Sequence, residues 1–370
     1  MATMTMSVTS ASKSREPSPN RGMTIPDHVE AGEVQMSQNE FRTKYGIDAS
    51  KQVKLVKVVF MRYQHPDLQE IKIFMKDFGL KKVKETATDI WFRGYGVDQY
   101  VYHVQKGPKK FLGGAFEAES YEELGKAIKI PGAKVLTKGI EKMENAPGGG
   151  YIVTLADPEG FPINIVYGQT PRQAESMPAK LAFNLENDKP RVREFARFKP
   201  GPAAVHKLGH YGLVVDNFDA VMDFYTKNFN FVPSNVLYTN ADGKTVNVGM
   251  FAHIDRGDDL VDHHTLFCVK LAPGQETPHV HHCSFEIHDM DTQAMGHDWL
   301  MKKGYKLVWG LGRHVLGSQI FDYWWDVNGF MVEHYIDGDV VNKETPVGFH
   351  SADNAVDTAW GPDVPSTFLE

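Results

Sequence analysis

The chain has 370 residues, 42% hydrophobic and 24% charged, enough for two or three ordinary domains with a substantial core. A formal net charge of -7 gives no overall attraction to nucleic acid or anionic membrane, and no apolar run approaches a membrane span, so neither partner is expected. The only cysteines, Cys268 and Cys283, lie in apolar runs and read as buried thiols of a reducing compartment, which makes a cytoplasmic protein the expectation.

Met1 to about Ala31 is rich in Ser, Thr, Pro and Met, without a hydrophobic period, and reads as a flexible tail. A polar lead-in carries this tail to residue 50, with room for a short helix. From Lys54 the pattern becomes regular. Lys54–Tyr63 has strand character, and Leu68, Ile71, Met75 and Phe78 then recur at spacings of three and four, one face of a helix ending at Gly79. Val83–Thr86, Asp89–Arg93 and Tyr100–Val104 follow as strands. A second cycle starts at Gly113, with a helix turning Tyr121, Leu124 and Ile128 inward and strands at Tyr151–Ala156 and Ile163–Tyr167. Residues 171–204, rich in Pro, Arg and Glu, form a connector expected to hold helical parts. The third cycle has a strand at His210–Val215, a helix burying Val221, Phe224 and Tyr225, and strands at Thr245–Phe251 and Thr265–Val269. The fourth has a strand at His282–Ile287, a helix with Met295 and Trp299 inward, and strands at Lys306–Trp309, Ile320–Trp325 and Phe330–Tyr335.

Four βαβββ modules are thus predicted. One module leaves an apolar sheet face uncovered, so modules pair. The expected fold is α+β: two domains, 54–170 and 205–340, each a curved mixed-sheet assembly with outer helices. A polar tail follows at 341–370, which Trp360, beside Gly361-Pro362, is expected to pin against the body.

Ten of the sixteen histidines fall between His253 and His334, which draws attention to the C-terminal pair. His210 and His282 open equivalent strands, and Glu333 stands alone among Phe330, Met331 and Val332. Side chains alternate along a strand, so these three project into one cup if the modules pair. A carboxylate in apolar surroundings needs a partner to stay ionised, and a divalent metal supplies one. Two imidazoles and one carboxylate leave open coordination positions, the arrangement of oxygen-activating ferrous sites, whereas structural zinc takes four protein ligands. Parity turns Cys283 away from the cup and into the core.

These residues resemble the type I extradiol, ring-cleaving dioxygenases of the vicinal oxygen chelate superfamily over roughly Lys54 to Val340. Gly209 to Val215 matches that family's Gly-His-x-x-Leu-x-Val strand, His282 the ligand of its His-His-x-x-Phe strand, and Gly329 with Glu333 its Gly-x-x-x-Glu turn. The resemblance extends to His264 as an acid/base group, and to His314, in Gly312-Arg313-His314, and Tyr323 as groups that orient substrate. It implies an Fe(II) site, with Mn(II) as the alternative, acting on a catechol-type aromatic diol and O2 in a homo-oligomer. The N-terminal pair looks like a copy that has lost its site: Asn164 stands where Glu333 would be, and the first strand offers Val58, Val59 and Phe60. The turn Asp326-Val327-Asn328-Gly329 departs from the family in lacking proline. Three other readings remain open: a non-redox glyoxalase-like metalloenzyme, a keto-acid-type dioxygenase, and a small-molecule-binding protein of the bleomycin-resistance type.

Overall fold

The computed structural model describes residues 34–241, 243–272, 274–353 and 358–368; the tail expected at the N-terminus lies outside them. Four βαβββ modules form an α+β fold with two large mixed sheets and helices packed on them, as the periodicity predicts. Leu55–His65 pairs antiparallel with Lys110–Ala118, which fuses the first two modules into a nine-stranded sheet. Lys207–Val215 pairs in the same way with His279–Glu286, fusing the third and fourth into an eleven-stranded sheet.

The module helices are Leu68–Asp77, Tyr121–Ala127, Phe218–Asn228 and Met290–Lys302. Asp67, Asn217 and Asp289 cap three of them by accepting backbone N–H bonds of the first turn. Leu68, Ile71, Met75 and Phe78 are all buried, as are Val221, Phe224 and Tyr225. Two helical faces differ from expectation. Tyr121 is 41% exposed, because it opens a helix of only seven residues and lays its ring against Tyr151. The last helix buries Gln293, Gly296 and Leu300, with Met295 and Trp299 at the edge of that stripe. Gln293 donates to the carbonyls of Ile320 and His334, so a polar residue ties this helix to the sheet.

One apolar cluster runs through both sheets. Phe78 meets Phe285, Phe116 meets Phe231 and Tyr211, and Tyr211 fills the space a side chain at Gly114 would need. The two halves therefore share a core.

The connector is a correction. No helix occurs between residues 171 and 204; Pro171, Pro178, Pro190, Pro200 and Pro202 each lack the N–H a helix needs. Ionic contacts hold its first part, Glu175 pairing with Lys81 and with Arg93 at 2.7 Å. A strand at Phe231–Ala241 also escaped the periodicity, because Pro233 sits at a register shift in its hairpin with Lys244–Ile254.

The flanking segments join the C-terminal sheet. The lead-in forms a strand at Val34–Met36 and a helix at Gln38–Tyr45, opened by a Ser37–Glu40 capping box. From the tail, Val347–Ser351 inserts between Val34–Met36 and Phe231–Ala241, and Thr358–Trp360 pairs with Leu307–His314. Trp360 is 43% exposed and does not pin the tail through its ring. Backbone pairing does so, with Phe368 seated on Trp309 and the Trp309 indole donating to the Pro362 carbonyl at 2.9 Å.

Candidate metal centre and catalytic cup

Three neighbouring strands deliver the ligand set. In the pairing of Lys207–Val215 with His279–Glu286, His210 lies opposite Ser284; Ser284 lies beside Glu333 on the parallel strand Met331–Ile336. His282 precedes Ser284 by two residues and so faces the same way. The His210, His282 and Glu333 ligand atoms all lie within 4.8 Å of one another, and all three residues are buried. Glu333 Oε2 stands 3.3 Å from His210 Nε2 and 3.6 Å from His282 Nε2.

These residues fit a divalent metal. Both Glu333 oxygens are buried without a hydrogen-bond partner, a costly state that a cation would relieve. His282 offers Nε2 to the cluster while its Nδ1 lies 2.6 Å from Nδ1 of His281, the kind of outer contact that fixes a ligand ring. His281 is in turn hydrogen-bonded to the backbone of Phe368. Gly212 leaves the cup open, since a Cβ there would approach Phe267 to 2.6 Å and the His282 ring to 3.3 Å.

The three other candidates surround this centre. The His264 ring lies 4.1 Å from that of His210, and His314 Nε2 lies 2.9 Å from the Tyr323 hydroxyl, whose ring is 5.3 Å from that of His282. Tyr323 is the cross-strand neighbour of Glu333. Burial, reinforced by neighbouring histidines, holds His264 and His282 well below the usual histidine range. Burial, with the Glu333 carboxylate adding to it, raises Tyr323 well above the usual phenol range. His264 is not on a strand. It lies in irregular chain between bends at His263 and Thr265, before Leu266–Lys270, so alternation does not turn His263 away. The two Nδ1 atoms are 3.1 Å apart and both rings are buried.

Aromatic rings wall the cup: Phe251 beside His264, Phe267 beside His282, Phe321 beside His314. Phe368 closes it, 4.8 Å from Tyr323 and 4.7 Å from His281. Sequence reasoning missed His281 and Phe368. The doubled His281-His282 was a usable signal for the first; a lone Phe in a polar tail gave none for the second. Cys283 is buried in the core, its thiol pushed up by burial, and among the described residues both cysteines are free.

The N-terminal half supports the turn before Glu333. His65 Nδ1 lies 2.7 Å from Asn328 Oδ1, and Lys109 donates to the Gly329 carbonyl at 2.8 Å. The contact is reciprocal: the Tyr225 hydroxyl donates to Asp157, and the Asn217 amide to Glu159, in the equivalent N-terminal turn.

Residues 207–333 match the model of the Glyoxalase/Bleomycin resistance protein/Dioxygenase superfamily. The chain resembles type I extradiol dioxygenases of that superfamily, and its two-histidine-one-carboxylate group matches their sites for Fe(II) or Mn(II). Metapyrocatechase 2 of Cupriavidus necator is 26% identical over 311 residues, 82% of this chain and 88% of that one. A 3-methylcatechol 2,3-dioxygenase of Pseudomonas putida is 25% identical over 283 residues, 74% of this chain and 87% of its own. Among solved structures, homoprotocatechuate 2,3-dioxygenase of Brevibacterium fuscum superposes with a TM-score of 0.69 at 17% identity, covering 87% of this chain and 94% of that one. An Mn(II)-bound glyoxalase of Novosphingobium aromaticivorans gives 0.68 at 22% identity, covering 85% and 94%. The same fold thus serves two chemistries, and the choice between them rests on the site.

Proposed function

We propose that this chain is an extradiol dioxygenase that opens the ring of a catechol-type aromatic diol with O2, at a metal held by His210, His282 and Glu333. One observation carries the reading: a buried carboxylate without a hydrogen-bond partner, set among two histidines inside an aromatic cup. Among the described residues the ligand group has three members, which leaves positions for both diol oxygens and O2, whereas a closed four-ligand site would not. When bound, a ferrous or manganous ion supplies a Lewis acid on which diol and oxygen can meet.

The chain's own residues do the rest. His264, neutral in its buried position, takes a proton from the incoming diol and can later return it. The His314–Tyr323 pair orients the ring oxygens. The Phe251, Phe267 and Phe368 rings stack on the substrate and exclude water.

Oligomerisation, a cytoplasmic location and the absence of a nucleic-acid partner belong to the same proposal; the two buried thiols agree with a reducing compartment. Among the described residues no helix is long and apolar enough to cross a membrane.

Anaerobic loading with Fe(II) or Mn(II), followed by oxygen uptake against a panel of catechols, tests the proposal. Uptake should match diol consumed and yield a yellow, pH-sensitive product without added keto acid. Strict dependence on 2-oxoglutarate, or isomerisation of a thiol adduct without oxygen uptake, would replace the reading with one of its rivals.

A further inference from the structure

A line of hydrogen bonds runs from His264 to the strand added by the C-terminal extension. His264 Nδ1 lies 3.1 Å from His263 Nδ1, His263 Nε2 lies 2.6 Å from Asn235 Oδ1, and Asn235 Nδ2 lies 2.8 Å from His350 Nε2. Asn235 stands on Phe231–Ala241 and His350 on Val347–Ser351, which pair in parallel with Asn235 beside Gly348. The backbone of His263 is fixed as well: its N–H donates to the Asp339 carbonyl at 2.9 Å, and its carbonyl accepts from Ser234 Oγ at 2.6 Å. Gly348 permits the close fit, because a Cβ there would lie 2.7 Å from Asn235 Nδ2 and 3.0 Å from His350 Nε2.

The direction of each bond follows from donor chemistry. An amide oxygen only accepts, so His263 Nε2 carries the hydrogen. A neutral imidazole has one N–H, which leaves His263 Nδ1 as an acceptor. His264 Nδ1 must then donate to it, and His264 Nε2 keeps a bare lone pair. That nitrogen is the one left for the cup, where His210, His282 and His314 are neighbours. Reversing the Asn235 amide would reverse every bond and place a hydrogen on His264 Nε2.

We infer that Asn235, anchored by His350 of the C-terminal extension, acts through His263 to hold His264 as the Nδ1–H tautomer, so that Nε2 faces the cup as a proton acceptor. This gives the extension strand a positioning role, and Asn235 and His350 are positioning residues that touch neither metal nor substrate. The kinetic consequence rests on the ring-cleaving reading above; the tautomer itself does not.

The test therefore has two independent readouts on the full chain. The first is the imidazole 15N spectrum of the protein loaded with diamagnetic Zn(II), in which the two tautomers give distinct nitrogen shifts. His264 should show protonated Nδ1 and bare Nε2 in the wild type, and Asn235→Leu and His350→Leu should mix or reverse that state. The second is kinetics with Fe(II): both variants should lower kcat about tenfold, a fraction of what loss of an acid/base group costs. KM and bound metal should hold. His350→Gln, whose side-chain oxygen can accept from Asn235, and Asn235→Asp, whose carboxylate can accept from His263, should recover most of the loss. Gly348→Ala crowds the Asn235–His350 contact without altering either residue and serves if Asn235→Leu does not fold. A wild-type spectrum with hydrogen on His264 Nε2 would overturn the inference, as would a tautomer indifferent to His350→Leu and Gly348→Ala. If the spectra behave as expected and no catechol is turned over, the tautomer chain stands and the proposed reaction falls.

Discussion

At the centre of the C-terminal cup Ser284 is flanked by His210 and Glu333, with Tyr323 beyond; at the equivalent crossing of the N-terminal cup Ala115 is flanked by Phe60 and Asn164, with Thr154 beyond. The shared register makes Phe60 the counterpart of His210, Gly113 that of His282 and Arg62 that of Gly212. Where the C-terminal cup holds an unpartnered carboxylate, Asn164 is saturated. Its oxygen accepts from Arg62 at 3.0 Å and from Thr154 at 2.8 Å, and its amide donates to the Leu112 and Gly114 carbonyls. The Arg62 guanidinium brings a positive charge of the protein's own to the place where the other cup is built to receive a metal. Two cups of one architecture differ in whether their polar centre is closed by protein or left for a ligand.

The largest effects should come from making the second cup like the first. Gly212→Arg puts into the C-terminal cup the side chain that fills its counterpart. Metal analysis should find it nearly empty although all three ligands remain, as it should for Glu333→Ala. The wild type should carry about one metal per chain, and two equivalent metals would break the comparison. The reverse exchange should fail. At Gly113 the backbone φ of 98° and the nearby Pro162 carbonyl leave no room for a histidine side chain, so Phe60→His with Asn164→Glu should not create a second site.

Next in size is His264, the acid/base group of the proposed reaction. His264→Phe should retain metal and lower turnover roughly 10²–10⁴-fold. His263 is no neutral control, because its Nδ1 backs that of His264. His263→Phe should lower kcat by a smaller factor at unchanged metal content, and a larger loss than at His264 would move the acid/base role to His263.

What could be read beforehand follows a physical divide. The ligands were legible because strand alternation projects every second residue to one face, and polar side chains on an apolar face stand out. Asn164 as the counterpart of Glu333 was legible from the repeated turn. Strand alternation could not place His263, because alternation fails in a bend. Asn235, His350 and Phe368 were invisible, since their contacts join segments far apart in the chain: Asn235 and His350 are separated by 115 residues. The helical parts expected in the connector gave way to its prolines.

The two halves also share something that predicts equal behaviour. Asp157 and Asp326 occupy equivalent turns, accept backbone N–H bonds from the residues two and four places on, and are both raised to about 6 by burial. A carboxyl near 6 when folded and about 3.9 when unfolded binds its proton more tightly in the folded state, so it adds stability as pH falls from 6 toward 4. His65 and His253, held by burial at about 4, act oppositely: their contribution is full above about 6.5 and fades as pH falls to 4. Asp157→Asn and Asp326→Asn should each remove one counterweight. Urea titrations should then show each variant losing roughly 2 kcal/mol more than wild type between pH 7 and pH 4. A pH-independent difference would mean that the carboxyl is not raised, and unequal differences would break the symmetry of the turns.

The smallest expected effect concerns how each cup is closed. The N-terminal cup is capped from within its own pair of modules, Met143 and Ala146 of the second packing over Phe60, Trp91 and Tyr100 of the first. The C-terminal cup borrows Phe368 from the far end of the chain, against Tyr323, Trp309 and His281. The ring that closes the C-terminal cup thus comes from outside the modules that build it. Phe368→Ala removes a ring from the wall but leaves the backbone that His281 contacts. It should therefore raise KM for the diol several-fold at nearly constant kcat and metal content, the signature of lost binding common to ground and transition states. Truncation after Gly361 removes that backbone partner as well. Freed of it, His281 no longer steadies the ring of His282, and metal should be lost more readily on dialysis than from Phe368→Ala. If truncation and Phe368→Ala behave alike in both KM and metal retention, Phe368 is a wall and nothing more; if only truncation loosens the metal, the chain terminus also secures a ligand that the N-terminal cup never had.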